Sequence, residues 1–281
     1  MLIRQLELAG YHLPSINSKF SFKNGLNIVN GRNCSGKTIL LSSISAAFLG
    51  TNYHDQWIQG DSAPRNSPEQ FFPNQEPNIR VKFDWEGNSY ELRKEFTKSQ
   101  GVKCELFAIS DDGTKTLQCE GHLAIEQCMK ISEIRFVNPE YFAKISRDFY
   151  SWWISEESVE ERKQVQGLIA KFRPNFLKKH SHLYGSEKPQ YAMAAGDLNF
   201  LIWMSILASS RENGDRELLL VDDFGTGMDH SLIEDILRVI TEEELCNQII
   251  LTSHNSIFPD GVGDNSIANH IITLPNPTNH Q

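Results

Sequence analysis

The chain has 281 residues, 40% hydrophobic and 22% charged, a balance that excludes a disordered or fibrous polypeptide and suits one large folded unit. A formal net charge of −9 excludes a surface coated throughout in positive potential, so any nucleic acid must be met by a local basic patch. The opening MLIRQLELAG has neither the apolar core nor the cleavage site of a leader, and no segment nears the ~18 apolar residues that span a bilayer, so a cytoplasmic location without a membrane partner is expected.

Residues 2–30 alternate apolar and polar positions and predict strands that run into a glycine loop at Gly31. A helix is predicted over Lys37 to Leu49, stopped by Gly50. Residues 51–77 hold most of the Asn, Pro and Gln clusters and read as a long irregular connection. From Asn78 to Gly121, short alternating runs punctuated by Glu86-Gly87 and Asp112-Gly113 predict an antiparallel sheet. Helices are expected over 123–130, 140–149 and 158–172, with a strand over 134–137 between the first two. The last third alternates helix and strand (helix 197–209, strand 217–222, helix 231–243, strands 248–252 and 270–274), which predicts a mainly parallel sheet flanked by helices. The cysteines are odd in number and contain no C-x-x-C pair, so reduced, mostly buried thiols are expected, with neither a disulfide framework nor a zinc site.

Chemistry concentrates at three places. Gly31-Arg32-Asn33-Cys34-Ser35-Gly36-Lys37-Thr38 is a complete G-x-x-x-x-G-K-[ST] between a predicted strand and a predicted helix. Glycines let the backbone curl until successive N–H groups point at phosphates, Lys37 adds a positive charge, and the Thr38 hydroxyl suits magnesium, so ATP and Mg2+ are the cofactors expected. Leu218 to Asp223 is an apolar strand ending in two carboxylates; after such a loop, Asp222 is expected to hold the metal and Asp223 to orient and deprotonate the attacking water. Ile249 to His254 is a third strand, whose terminal His254 would reach the γ-phosphate if it lies beside the carboxylate strand.

This order of motifs resembles the ABC-type P-loop ATPase heads of the SMC, RecF and OLD group. The likeness rests on MLIRQLELAGYHLPSINSKFSFKNGLNIVNGRNCSGKT, on RVKFDWEGNSYELRKEF, and on LLLVDDFGTGMD followed by ILTSHNS. It covers both ends of the chain well and the middle poorly. It implies a P-loop α/β head with an N-terminal antiparallel β subdomain. The whole chain, 1–281, is then one composite domain: strands, P-loop and first helix over 1–50, the antiparallel segment over 78–121, a helical insertion over 122–190, and the signature, carboxylate-strand and histidine lobe over 191–281.

The resemblance also implies that two heads close face to face around ATP, giving a homodimer or higher homo-oligomer. Met193 to Asp197 looks like the signature segment that reaches the partner's nucleotide: Gly196 matches the usual Leu-Ser-x-Gly-Glu/Gln, but Ala194 stands where a serine is usual, followed by Ala195 and Asp197. Losing that hydroxyl costs roughly 1.5 to 3 kcal/mol of phosphate contact if nothing replaces it. Asp223 stands where glutamate is usual, which retracts the carboxylate by about one methylene and implies slow turnover. Asp229 looks like the loop that touches the second head, and Asn138 is the substitute for the usual magnesium-sensing glutamine. A coiled-coil arm is missing. Residues 162–188 are rich in Lys and Arg and offer either a DNA contact or a protein-partner surface; Trp152-Trp153 reads first as core. Compact OLD relatives imply a role in DNA repair or phage defence with a separate nuclease or toxin chain as effector. A non-hydrolysing ATP-gated scaffold and a transporter ATPase subunit are the alternatives.

Overall fold

The computed structural model describes residues 1–10, 18–49, 78–97, 101–131, 133–137, 149, 151, 153–155, 158–180, 193–213, 217–243, 248–253 and 270–274. The chain opens with β1 (Leu2–Ala9), β2 (Lys19–Ser21) and β3 (Gly25–Asn30), followed by helix α1 (Lys37–Leu49). A meander follows: β4 (Asn78–Trp85), β5 (Asn88–Thr97), β6 (Gly101–Ile109) and β7 (Lys115–Glu120). Helix α2 (Gly121–Ile131) and strand β8 (Glu133–Val137) come next, then α3 (Val159–Phe172) and α4 (Pro174–Lys179). The remainder alternates α5 (Ala195–Asn213), β9 (Glu217–Val221), α6 (His230–Glu242), β10 (Gln248–Ser253) and β11 (His270–Thr273).

These strands form two sheets. One is antiparallel, in the order β2-β1-β4-β5-β6-β7; the other is parallel, in the order β11-β3-β10-β9-β8. The predicted architecture is therefore present, with β1 and β2 joining the meander and β3 joining the parallel sheet. The central strands β9 and β10 are buried along their whole length and carry the apolar runs 218–221 and 249–251, because both of their faces are covered. Along β9, Leu218 and Leu220 belong to a core shared with α1, α2 and the antiparallel sheet, whereas Leu219 and Val221 belong to the core beneath α3 to α6. Two residues in succession thus serve opposite layers, as the strand's period of two requires.

Helix α1 is buried from Leu40 and Leu41 through Ser43, Ile44, Ala46, Ala47 and Phe48. It contacts β10 of the parallel sheet as well as β4 and β5 of the antiparallel one, which is why its sequence shows no polar stripe. Polar side chains tie the sheets together. Buried Gln248 accepts from the Ile3 N–H (2.8 Å) and donates to the carbonyls of Ile3 (2.8 Å) and Lys23 (3.0 Å). Buried Asn27 accepts from the Lys23 N–H (2.8 Å) and donates to its carbonyl (2.8 Å). Lys94, fully buried on β5, donates to the Ala46 carbonyl in the last turn of α1 (2.6 Å), where a cation meets the negative end of the helix. Burial lowers its pKa, with Cys104 and Cys128 opposing.

Most expected elements coincide with observed ones to within a few residues. Helix α4 was not foreseen: it is six residues long and starts on Pro174. The expected helix 140–149 and the irregular connection 51–77 lie outside the described residues, apart from Phe149. Trp153 is buried and stacks on Phe149 (5.6 Å), confirming a core role; Trp152 is outside the described residues. Among the described cysteines, Cys104 and Cys128 are buried, Cys119 is half-buried and Cys34 is exposed, and all are free thiols. Burial pushes the Cys104 thiol up to about 11. Cys246 is outside the described residues.

Candidate nucleotide-binding site

The C-terminal ends of β3, β9 and β10 lie side by side, since β10 pairs in parallel with both β3 and β9. The loop Gly31–Gly36 leaves β3 and enters α1 at Lys37. Its curl depends on small residues and on left-handed backbone: Cys34 has φ 62° and Gly36 φ 94°. At Gly31, an added Cβ would come within 2.5 Å of Ser35 Oγ and 3.3 Å of Leu274 Cβ. The loop closes on itself through Ser35 N–H to the Arg32 carbonyl (3.2 Å), and Gly36 starts the helix by accepting from Leu40 N–H (2.9 Å). Arg32, Asn33 and Cys34 are exposed, while Ser35, Gly36 and Lys37 are buried.

Lys37 Nζ donates to the carbonyls of Gly31 (2.6 Å) and Arg32 (2.9 Å), so the ammonium sits inside the curl of the loop. Burial lowers its pKa, and the carboxylates of Asp222 and Asp223 oppose that shift. The carboxylate pair expected at the end of the apolar strand is therefore near enough to act on Lys37.

Asp222 joins the elements. Its Oδ2 accepts from Thr38 Oγ1 (2.8 Å), the first turn of α1, and its Oδ1 accepts from Thr252 Oγ1 (2.7 Å), at the end of β10. The Asp222 N–H donates to the carbonyl of Val137 on β8 (2.8 Å). Asp223 follows with a left-handed backbone, φ 57°, uncommon for a residue with a Cβ. Its N–H donates to Thr252 Oγ1 (2.9 Å), and the next N–H, of Phe224, donates to the Thr252 carbonyl (2.8 Å). Phe224 is buried edge-on against Trp203 of α5 (5.1 Å).

These residues fit a nucleotide with its magnesium. A cradle whose first glycine has no room for a Cβ, a buried lysine within it, and a hydroxyl paired with a carboxylate at its helical end are the oxygen donors and dipoles a hard cation on a polyphosphate needs. Among the described residues there is no group of three or more His, Cys, Asp and Glu that could hold a metal ion.

A second group of expected residues collects elsewhere. Ala194 and Ala195 are exposed at the start of α5, where the Ala194 carbonyl accepts from Leu198 N–H (3.0 Å). An added Cβ on Gly196 would meet the Gly227 carbonyl at 3.2 Å, so the signature segment packs directly on the loop Gly225-Thr-Gly-Met-Asp229. Gly225 (φ 88°) and Gly227 (φ 73°) give that loop its turns. Asp229 is the exposed N-cap residue of α6 and makes no side-chain cap bond. Asp197 bonds within its own chain: Oδ2 accepts from Lys179 Nζ (2.6 Å) and lies 3.1 Å from His180 Nε2. Burial raises its pKa, but Lys179 and His180 outweigh that and hold the carboxyl below its ordinary range. His254 and Asn138 lie outside the described residues; the strands that lead to them, β10 and β8, flank β9 as their expected roles require.

Among the described residues, most of the basic stretch is paired. Lys163 pairs with Glu160 (3.1 Å), Lys171 with Glu243, Arg173 with Asp235 and Lys179 with Asp197 (2.6 Å), while Arg162 donates to the Trp153 carbonyl. Lys188 is outside the described residues. Sequence reading missed two site residues. Thr252 looked like an ordinary β-branched strand residue. Lys179 was counted only as part of a basic run.

Loop, carboxylate strand and parallel sheet together define a P-loop nucleoside-triphosphate-binding protein. A family model described as an AAA domain matches residues 9–188. A second model, whose description joins an AAA domain with the AbiEii toxin of a type IV toxin–antitoxin system, matches residues 154–258. No curated protein matches the chain significantly. Among solved structures, the SMC head domain from Thermotoga maritima is similar over 98% of this chain and 95% of its own, at 14% identity and a TM-score of 0.62. An SMC head bound to the C-winged helix domain of ScpA is similar over 99% and 95%, at 13% identity and a TM-score of 0.63. A third, the Pyrococcus furiosus SMC head with an extended coiled coil bound to the C-terminal domain of ScpA, covers 97% and 93% at 13% identity and a TM-score of 0.59. The chain belongs to the AAA domain family, and its fold is that of the SMC head domains. Among its described residues no helix is long and apolar enough to cross a membrane.

Proposed function

We propose that the chain is a slow, magnesium-dependent ATPase whose site is completed across a homodimer. The observation that carries this reading is the continuous hydrogen-bond path from Thr38 through Asp222 and Thr252 to Asp223, which ties the phosphate loop to the two carboxylates. In this reading the backbone of Gly31–Gly36 and the Lys37 ammonium hold the phosphates. Thr38 and Asp222 would hold the metal, and Asn138 is the residue assigned to sense it. Asp223 orients the attacking water and takes its proton, and His254 hydrogen-bonds the γ-phosphate. Magnesium, when bound, supplies positive charge at the β- and γ-phosphate oxygens.

Residues 194–197 and Asp229 are the surface a second copy would present to the nucleotide. Their packing on one another at Gly196 and Gly227 supports that role, because the two loops would move as one body. Slowness follows from Asp223, whose carboxylate is one methylene short of the usual glutamate, and from Ala194, which offers no hydroxyl.

Closure acts on a partner in DNA repair or phage defence. A separate effector protein, a nuclease or a toxin, is favoured over DNA, since the lysines and arginines between 162 and 179 are mostly spent on acids of the same chain. The AbiEii toxin in one matching family description and the ScpA domains bound to two of the similar heads support a protein partner. Phosphate release by purified protein, with and without DNA, tests the enzymatic claim. Slow turnover is expected, lost by at least about a hundredfold in Asp223→Asn with ATP still bound. ATP binding without any turnover in the unmodified protein would replace the enzyme with an ATP-gated scaffold.

A further inference from the structure

We propose that Thr252 is a positioning residue that sets the direction of both carboxylates at once. It sits at the end of β10, one residue past the last pair with β9, Leu251 opposite Val221, and is fully buried. Its neighbours Ile249, Ile250 and Leu251 are apolar, and a valine would have the same shape. A buried hydroxyl in such a place costs free energy unless it is bonded. Thr252 Oγ1 donates to Asp222 Oδ1 (2.7 Å) and accepts from the Asp223 N–H (2.9 Å), so its proton and a lone pair are both used.

Each bond has its own consequence. Because Thr252 takes Oδ1, the Asp222 carboxylate is held with Oδ2 toward Thr38, and its plane is fixed by two threonines from different elements. Because the hydroxyl and carbonyl of Thr252 capture the N–H groups of Asp223 and Phe224 in succession, Asp223 is kept in its left-handed conformation (φ 57°). A residue with a Cβ leaves that conformation once its anchors are gone. One hydroxyl therefore aims the metal-holding group by its side chain and the water-directed group by its backbone. Partners of this kind, which touch a metal ligand rather than the metal, cost about 10- to 100-fold in metal affinity or activity when removed.

The Asp223 half of the inference rests on the ATPase reading above; the Asp222 half needs only nucleotide and magnesium binding. Two measurements on the full chain separate them: steady-state phosphate release, and binding of a fluorescent ATP analogue as Mg2+ is titrated. For Thr252→Val, kcat is expected to fall about 10- to 100-fold with KM for ATP within about threefold, and the Mg2+ midpoint for nucleotide binding to rise about tenfold. Thr252→Ser, which keeps the hydroxyl, is expected to stay within about threefold of the original protein on both. Should Thr252→Val fail to fold by thermal melting, Thr252→Cys, a weak donor of similar volume, is expected to give an intermediate Mg2+ midpoint. A Val or Cys variant that folds and keeps the original midpoint and kcat would overturn the proposal. Absence of turnover in the unmodified protein would sink the ATPase reading alone, and the Mg2+ titration would still decide Thr252.

Discussion

Two glycine-rich corners of this molecule are built on different physics. At the ends of β3, β9 and β10, position is set by hydrogen bonds of 2.6 to 2.9 Å, which tie Lys37 to the Gly31 and Arg32 carbonyls and join Thr38, Asp222, Thr252 and Asp223 to one another. At the start of α5, position is set by close approach of backbone, Gly196 against Gly227, with two exposed alanines in front and the adjacent carboxylate of Asp197 turned to Lys179 and His180. The first corner is equipped with donors and acceptors before any ligand arrives. The second offers shape and helix N–H groups but little side-chain chemistry. A site shared between two copies would thus be strong on the loop side and weak on the signature side, which favours tight nucleotide binding with loose dimer closure.

The comparison breaks most directly at Gly31. Gly31→Ala places a Cβ 2.5 Å from the Ser35 hydroxyl and 3.3 Å from the Cβ atoms of Ser35 and Leu274, so Ser35 must turn and the loop must shift, and ATP affinity measured by calorimetry is expected to fall by about a hundredfold. The same change at the weaker corner works in the opposite direction. Ala194→Ser adds a hydroxyl to an exposed position and is expected to tighten ATP-dependent self-association by about tenfold or more, read by analytical ultracentrifugation. No change in association would show that this corner does not meet a nucleotide.

How much of this was legible from residues alone follows from how local each feature is. The phosphate loop is contiguous, so its place between β3 and α1 was legible from spacing alone. The carboxylate strand was legible because a buried parallel strand is apolar to its last residue and then ends in charge. Thr252 was not, because its role depends on the register that sets β10 one residue past β9. Lys94 did leave a trace: it continues the alternation Tyr90, Leu92, Lys94, where an apolar residue belongs. The pairing of the basic stretch was hidden for a related reason. Arg173 and Lys171 find Asp235 and Glu243, acids more than sixty residues away, and no window along the chain contains both partners.

The smallest expected effect concerns the Asp197 contact. Its carboxyl is held below the ordinary range, so the contact contributes stability at neutral pH that is lost as pH falls below about 4. Lys179 is 64% exposed, which limits the contribution of the ion pair to about 1 kcal/mol after screening. Asp197→Asn is expected to lower the melting temperature by a few degrees at pH 7, and the gap to the original protein should close toward pH 3. A gap that widens in acid would assign the contact the wrong sign.

The central claim, that Gly31 to Thr38 with Asp222 forms a magnesium-dependent ATP half-site, is tested most directly by titrating a fluorescent ATP analogue into the full chain and into Lys37→Ala, each with and without Mg2+. Saturable, magnesium-dependent binding that Lys37→Ala weakens by about a hundredfold is the result this structure predicts. Equal binding by both proteins, or binding indifferent to magnesium, would contradict it.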